Sequence, residues 1–277
     1  AMAFNYFAKK RVDIAIIETG LGGRLDSTNI LSPELSIITN IGLDHTNLLG
    51  NTIEKIALEK AGIIKKEIPV IIGRKQTETT TVFEEKAKAE NAPLSYATTF
   101  NHASDLKGNY QEENINTCVS SIHKLQEKGW RISEEYIEKG LKKVVANTGI
   151  LGRWQTIHHN PLTICDTGHN EDGIHKILKQ IKQTPHEQLH IVWGTVKDKN
   201  IEKILALLPK NAIYYFCEAN IPRAIPKETL LTFAKQHNLK GQHYSSVKAA
   251  LSIAQKNAKK NDLIFVGGST FVVAEVL

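Results

Sequence analysis

An α/β fold in two domains is the architecture this sequence predicts, and three observations predict it. Short, β-branched apolar runs such as 12–17 (VDIAII) and 35–40 (LSIITN) end abruptly in polar turns, as do strands buried on both faces of a mainly parallel sheet. Beyond 152, runs of this kind alternate with amphipathic helical stretches, the order of a doubly wound domain. The length of 277 residues reaches the size at which one hydrophobic core stops growing and chains divide.

The stretch 12–29 organises the first half. Its apolar run reads as a strand with Glu18 at the carboxyl end, and Gly20, Gly22 and Gly23 let the next turns come close to a bound group. By itself the arrangement fits either a ligand-facing loop or a tight turn with a solvated carboxylate. The run 35–40 repeats the device and leads through 42–46 to His45, so two neighbouring strands are expected to deliver Glu18 and His45 to one sheet edge. A helix follows over 53–62, capped by Asn51 or Thr52, stopped at Gly62, and carrying Ile53, Ile56, Ala57 and Ala61 at helical spacing. Lys60 lies in its last turn, where a lysine also complements the helix dipole without further function. A strand at 68–73, a helix near 78–91, irregular chain to 108, and helices near 111–128 and 133–143 complete this half.

A small, polar segment at 145–152 marks the boundary, giving domains of 1–149 and 150–277. Strands are expected at 162–166, 189–194, 213–218 and 262–267, with a short one near 242–244; helices are expected near 171–183, 200–208, 227–238 and 247–259. Asp166 ends the first of these strands and opens Thr167-Gly168-His169-Asn170, a cluster that suits a ligand site or a helix cap. Arg153 carries the planar cation that grips phosphate bidentately, though an arginine after a linker is also an ordinary surface residue. The turn Lys197-Asp198-Lys199 is expected to face the cleft, and Ser269, after Gly267 and Gly268, to lie where free amides receive a carboxylate. The remaining histidines of this half read as structural or surface residues.

Composition narrows the function classes. The 41% hydrophobic and 23% charged content is that of an ordinary globular protein, and no apolar run reaches membrane-spanning length. With no signal peptide at 1–10, the cytoplasm is the expected location and no membrane partner is expected. The 3 cysteines form no C-x-x-C pair, which argues against a disulfide framework or a zinc site. The net charge of +6 comes from dispersed lysines without an arginine-rich block, so small anionic substrates account for it as well as nucleic acid does.

ETGLGGRLDSTN, ITNIGLDHTNLLG, EKAGIIK, LKGNYQEEN, LGRW and DTGHN, in this order, resemble the folylpolyglutamate synthase/dihydrofolate synthase family of the Mur ligase superfamily, over essentially the whole chain. The resemblance implies a P-loop-type Mur ligase central domain followed by a Rossmann-like C-terminal ligase domain. It implies an ATP- and Mg²⁺-dependent enzyme that joins L-glutamate to dihydropteroate or folate; separately, no nucleic-acid partner is expected from the charge pattern, and a monomer is expected with the oligomeric state open. Glu18 and His45 would be the metal ligands, and Lys60, carbamylated into an oxygen ligand that magnesium prefers, and His169 the catalytic residues. Leu25, Asp26 and Ser27 would line the pterin-substrate loop, and Asn114, Arg153 and Asp166 would contact ATP. The family's G-x-x-x-x-G-K-[ST] loop does not occur in these residues. The expectation is therefore a downstream part of such a ligase, inactive alone. Another Mur-type ligase acting on a peptidoglycan or cyanophycin precursor, and a non-catalytic binding remnant, remain as alternatives.

Overall fold

The computed structural model describes residues 1–197 and 201–277, so Asp198 and Lys199 of the expected cleft-facing turn lie outside the described residues. The chain opens with α1 (Met2–Lys10), which buries none of its residues, and then passes through 12–17 without forming a strand. Val12, Ile14 and Ile16 are 44%, 49% and 91% exposed. This corrects the expectation of a buried strand there, and with it the idea that two adjacent strands deliver Glu18 and His45. The apolar pattern belongs to a strand, but a strand exists only where a neighbour takes its N–H and C=O groups. No described strand runs beside 12–17.

The first sheet is parallel and three-stranded, in the order β1 (Ser36–Ile38), β2 (Val70–Ile72), β3 (Leu94–Tyr96). Between β1 and β2 lie α2 (Thr46–Leu49) and α3 (Ile53–Ala61), and between β2 and β3 lies α4 (Thr77–Ala89). Thr52 rather than Asn51 caps α3, its hydroxyl accepting the Lys55 amide at 3.3 Å. Ile56, Ala57 and Ala61 pack with Ile38, Val70, Ile72 and Phe83 into this half's core. β3 falls in a stretch expected to be irregular. Its three residues are too few to show a period, and only pairing with β2 makes them a strand. Three helices follow: α5 (Gln111–Glu127), α6 (Glu134–Leu141) and α7 (Val144–Thr148).

The second sheet has six strands. In chain order its elements are β4 (Gln155–His159), β5 (Leu162–Cys165), α8 (Glu171–Gln183), β6 (Leu189–Trp193), α9 (Ile201–Leu207), β7 (Ile213–Phe216), α10 (Lys227–Gln236), β8 (Lys240–His243), α11 (Val247–Asn257), β9 (Leu263–Gly267) and α12 (Thr270–Ala274). The strands lie in the order β4-β5-β9-β6-β7-β8, all neighbours parallel except the edge hairpin β4–β5. Alternate residues of the central strands face opposite layers. Ile191, Trp193 and Phe265 join the core under α8, α9 and α10, whereas Val192, Ile264 and Val266 pack with Val247 of α11 and Val272 of α12. The carboxyl ends of β5, β9 and β6 therefore converge on one rim, where such sheets bind ligands. Among the described residues no helix is long and apolar enough to cross a membrane.

At the opposite rim, His190 is 2% exposed and lies between the Tyr215 hydroxyl, 3.0 Å from Nδ1, and Asp262, 3.3 Å from Nε2. Asp262 also accepts the Lys259 and Gln188 amides. Burial opposes its charge, but those amides and His190 outweigh it and hold the carboxyl below its ordinary range. Asp262→Ala would strand these donors and should cost about 2–4 kcal/mol in a urea titration at pH 7. A depressed acid stabilises fully above its unfolded pKa of about 4 and less as pH falls through the native value. The difference from wild type should thus narrow as titrations are repeated towards pH 3; a difference constant with pH would refute this account.

Candidate active site

The glycine loop after Glu18 is held on the end of α3. Arg24 N–H donates to Glu59 O at 2.7 Å, the Arg24 guanidinium pairs with the Glu59 carboxylate at 3.0 Å, and the Asn29 amide reaches Gly62 O at 3.0 Å. Two glycines permit this approach. A Cβ on Gly23 would fall 2.6 Å from Glu59 O, and one on Gly62 would fall 2.4 Å from the Arg24 Cα. The loop thus meets the turn that carries Lys60. Asp26 turns inward, accepting the Leu21 amide and both the amide and hydroxyl of Thr28. The Thr28 bonds, hydroxyl first, pull its carboxyl down to about 2. Asp26 shapes the loop, while Leu25 and Ser27 stand exposed at its tip.

Lys60 is half-buried, and desolvation lowers its pKa against the pull of the Asp44 charge. Asp44 precedes His45, whose φ of 49° places a non-glycine residue in the left-handed region, a conformation that surrounding contacts must enforce. The neighbouring turn is pinned by Gln76, whose side-chain amide exchanges two hydrogen bonds of 2.9 Å with the Ile41 backbone. Across the seam His169 approaches, its Nε2 3.5 Å from Asp44 Oδ2 and its Nδ1 3.0 Å from Thr167 O.

Asp166 is 1% exposed at the end of β5. Its Oδ1 accepts Gly168 N–H at 2.8 Å; its Oδ2 accepts Trp154 N–H at 2.7 Å and, from the other half, the Tyr110 hydroxyl at 2.6 Å. Burial pushes its carboxyl up, and the Tyr110, Gly168 and Trp154 donors with the nearby Arg153 charge pull back. Arg153 is itself exposed, one Nη on the Thr167 hydroxyl, and Asn114 is exposed on the first turn of α5. Further along the seam, Arg74 grips Asp172 of α8 through both terminal nitrogens at 3.1 and 3.2 Å and Glu113 of α5 at 2.7 Å. Lys176 shares Glu113 at 2.7 Å, and Gln180 receives Asn109 N–H while donating to Lys107 O.

His169, Asp166 and Arg153 thus fall along one seam, with differing neighbours. His169 meets Asp44 and, through it, Lys60; Arg153 and Asp166 share one rim. Glu18 and His45 offer an oxygen and a nitrogen donor, but no three His, Cys, Asp or Glu side chains among the described residues converge to hold an ion. Ser269, expected to receive a carboxylate, is 3% exposed with its hydroxyl accepting the Val272 amide as the cap of α12. Asp44, Arg74, Gln76 and Tyr110 escaped the sequence reading. Asp44 and Tyr110 sat in quoted motifs beside the more conspicuous His45 and Asn114; Arg74 and Gln76 carried no signal, because their partners lie far along the chain.

Arg74 centres the charges between the halves, and Arg74→Ala should leave Glu113 and Asp172 sharing Lys176 alone. The expected loss is about 1–3 kcal/mol of stability, read as a lower thermal midpoint. Salt should shrink the difference between 50 and 500 mM, as far as these partly exposed pairs are screened. Equal midpoints at low salt would show that the network contributes nothing.

Comparison with known proteins gives this geometry its family. The model of the Mur ligase middle domain matches residues 2–134, and that of the Mur ligase glutamate ligase domain matches residues 152–270. The dihydrofolate synthase/folylpolyglutamate synthase of Bacillus subtilis is 30% identical over 305 residues, covering 100% of this chain and 70% of the relative. That of Escherichia coli is 30% identical, covering 98% of this chain and 66% of its own length, so the chain spans about two thirds of such relatives. Among solved structures, Escherichia coli FolC in complex with DHPP and ADP superposes with a TM-score of 0.84 at 29% identity, over 98% of this chain and 67% of that one. The Yersinia pestis bifunctional enzyme complexed with AMPPNP and Mn gives 0.85 at 26% identity, over 99% and 68%. The chain belongs to the folylpolyglutamate synthase/dihydrofolate synthase family of Mur ligases.

Proposed function

We propose that this chain, as domains 1–149 and 150–277, serves as part of an ATP-dependent ligase that joins L-glutamate to the carboxylate of dihydropteroate or a folate. The observation that carries the reading is the meeting, across the seam, of the Lys60–Asp44 corner with His169 and of Tyr110 with Asp166 beside Arg153. Catalytic groups of both halves then act on one substrate set. ADP, AMPPNP and DHPP in the relatives' structures support it.

In this reading the substrate carboxylate attacks the γ-phosphorus, ADP leaves, and an acyl phosphate forms. The glutamate amine then attacks the acyl carbon, and the tetrahedral intermediate expels phosphate as the nitrogen loses its proton. Asn114, Arg153 and Asp166 hold the nucleotide, with Arg153 neutralising phosphate charge. Leu25, Asp26 and Ser27 line the pterin-substrate loop, which the Asp26 bonds to Leu21 and Thr28 keep in shape. In this reading His169, anchored by Thr167 and Asp44, serves the incoming acceptor. Docking of the halves excludes water from the acyl phosphate.

By donor chemistry an oxygen from Glu18 and a nitrogen from His45 suit a divalent cation, while among the described residues no three His, Cys, Asp or Glu side chains converge on one. Glu18 and His45 would hold it together with Lys60 as its carbamate, and magnesium would neutralise charge on the transferred phosphoryl group. Lys60 suits that modification because only a neutral amine takes up CO₂, and partial burial favours the neutral form. The reading extends to a monomer acting in the cytoplasm on small molecules.

In the full-length protein, ATP-dependent incorporation of labelled glutamate into dihydropteroate or tetrahydrofolate is the expected result. Incorporation only into a peptidoglycan or cyanophycin precursor would reassign the substrate. Lys60→Ala should lower kcat at least about a hundredfold. Acetate or propionate should restore part of that loss by supplying carboxylate oxygens; full activity without added acid would leave Lys60 an ordinary helix-end cation. Arg153→Ala should raise the KM for ATP about tenfold or more with an unchanged thermal midpoint. A lowered midpoint with normal turnover per folded molecule would make Arg153 structural.

A further inference from the structure

Tyr110 has no role in the reaction as described, yet it occupies a singular position. It precedes α5, and its residue lines an open groove of about 780 Å³ between 100–115 and α8, shared with Lys107, Gln111 and Lys179. Its hydroxyl crosses to the other half and donates to Asp166 Oδ2 at 2.6 Å. Burial, then the Asp166 charge, holds the phenol far above the range in which tyrosines normally ionise, so it remains a donor at any working pH.

Local folding does not require this bond. The Trp154 and Gly168 amides already fix Asp166 within its own half, one on each oxygen. Among the described residues Tyr110 is the one donor to Asp166 from the other half. It adds a second donor to Oδ2, while among the described residues Oδ1 accepts from Gly168. A ligand that bonds to Asp166 therefore meets a carboxylate held in part by a side chain of the other half.

We propose that Tyr110 is a positioning residue of the nucleotide site: its hydroxyl, donated across the seam, fixes the aim of the Asp166 carboxylate and couples nucleotide binding to the docking of the halves. The inference rests on the reading of Asp166 as a nucleotide contact. Asn109 beside it strengthens the coupling, since its backbone and side chain bond Gln180 and Gln183 of α8 and hold this loop on the second half.

Tyr110→Phe removes one oxygen and keeps the ring. Mg–ADP affinity, measured by calorimetry on full-length protein and corrected for folded fraction, should fall about tenfold, the usual size for a hydrogen bond to a charged group. Amide exchange at Trp154 and Gly168 should quicken. Asp166→Asn should weaken Mg–ADP binding to a similar degree, and the double variant should bind no worse than Asp166→Asn alone, because the two residues act as one unit. Affinity within about twofold of wild type in Tyr110→Phe would overturn the inference, as would losses that add in the double variant. A loss that vanishes after correction for folded fraction would reduce Tyr110 to a structural residue. Wild-type protein that binds no Mg–ADP would instead overturn the functional reading itself, which separates the two failures.

Discussion

A carboxylate buried where two halves of a chain meet constrains everything around it. Asp166 has almost no access to water, and an ionised carboxylate in such surroundings is costly unless donors surround it. Its donors come from three separate places: the linker at Trp154, the turn at Gly168, and Tyr110 of the other half. Each must be held where it is, which is why the linker bends at Gly152 and at Trp154, both at positive φ, and why 107–110 is tied to α8. The same requirement that stabilises the turn aligns the rim on which a nucleotide would sit.

The seam divides into a polar part and an ionic part with different physics. The Tyr110, Asn109 and Gln180 contacts are short and partly shielded, so they fix geometry. The Arg74, Glu113, Asp172 and Lys176 network balances its charges and stays partly open to solvent, so ions in the medium weaken it. Shielded contacts select one docked arrangement, and screened ones ease its making and breaking. A ligase that must admit substrates and then exclude water needs both.

Chemical economy is visible in the first half as well. The glycine loop has little regular structure, yet it is fixed by Asp26 from within and by α3 from below, leaving Leu25 and Ser27 at its tip. Rigid support under an exposed tip is how loops achieve specificity without secondary structure. Lys60 lies where that support meets Asp44, so burial and a single carboxylate set its protonation together.

Local features were legible in the residues alone. Apolar runs and their terminating turns marked β1, β2, β5, β6, β7 and β9; the capping threonine and spacing of apolar positions marked α3; and Asp166, Arg153, Lys60 and His169 stood out through ordered motifs. These are properties of consecutive residues, on which propensity, periodicity and capping act. Tertiary structure decided the rest. It denied 12–17 the strand its pattern advertised, because a strand needs a partner for its backbone, and it made strands of β3 and β4, whose patterns were too weak to notice. It turned Asp26 and Ser269 towards their own backbones, and it brought Tyr110 to Asp166 and Arg74 to Asp172 over separations of 56 and 98 residues. No local rule reaches so far: such pairs are chosen by the packing of whole elements, and only the folded chain brings them within hydrogen-bonding distance.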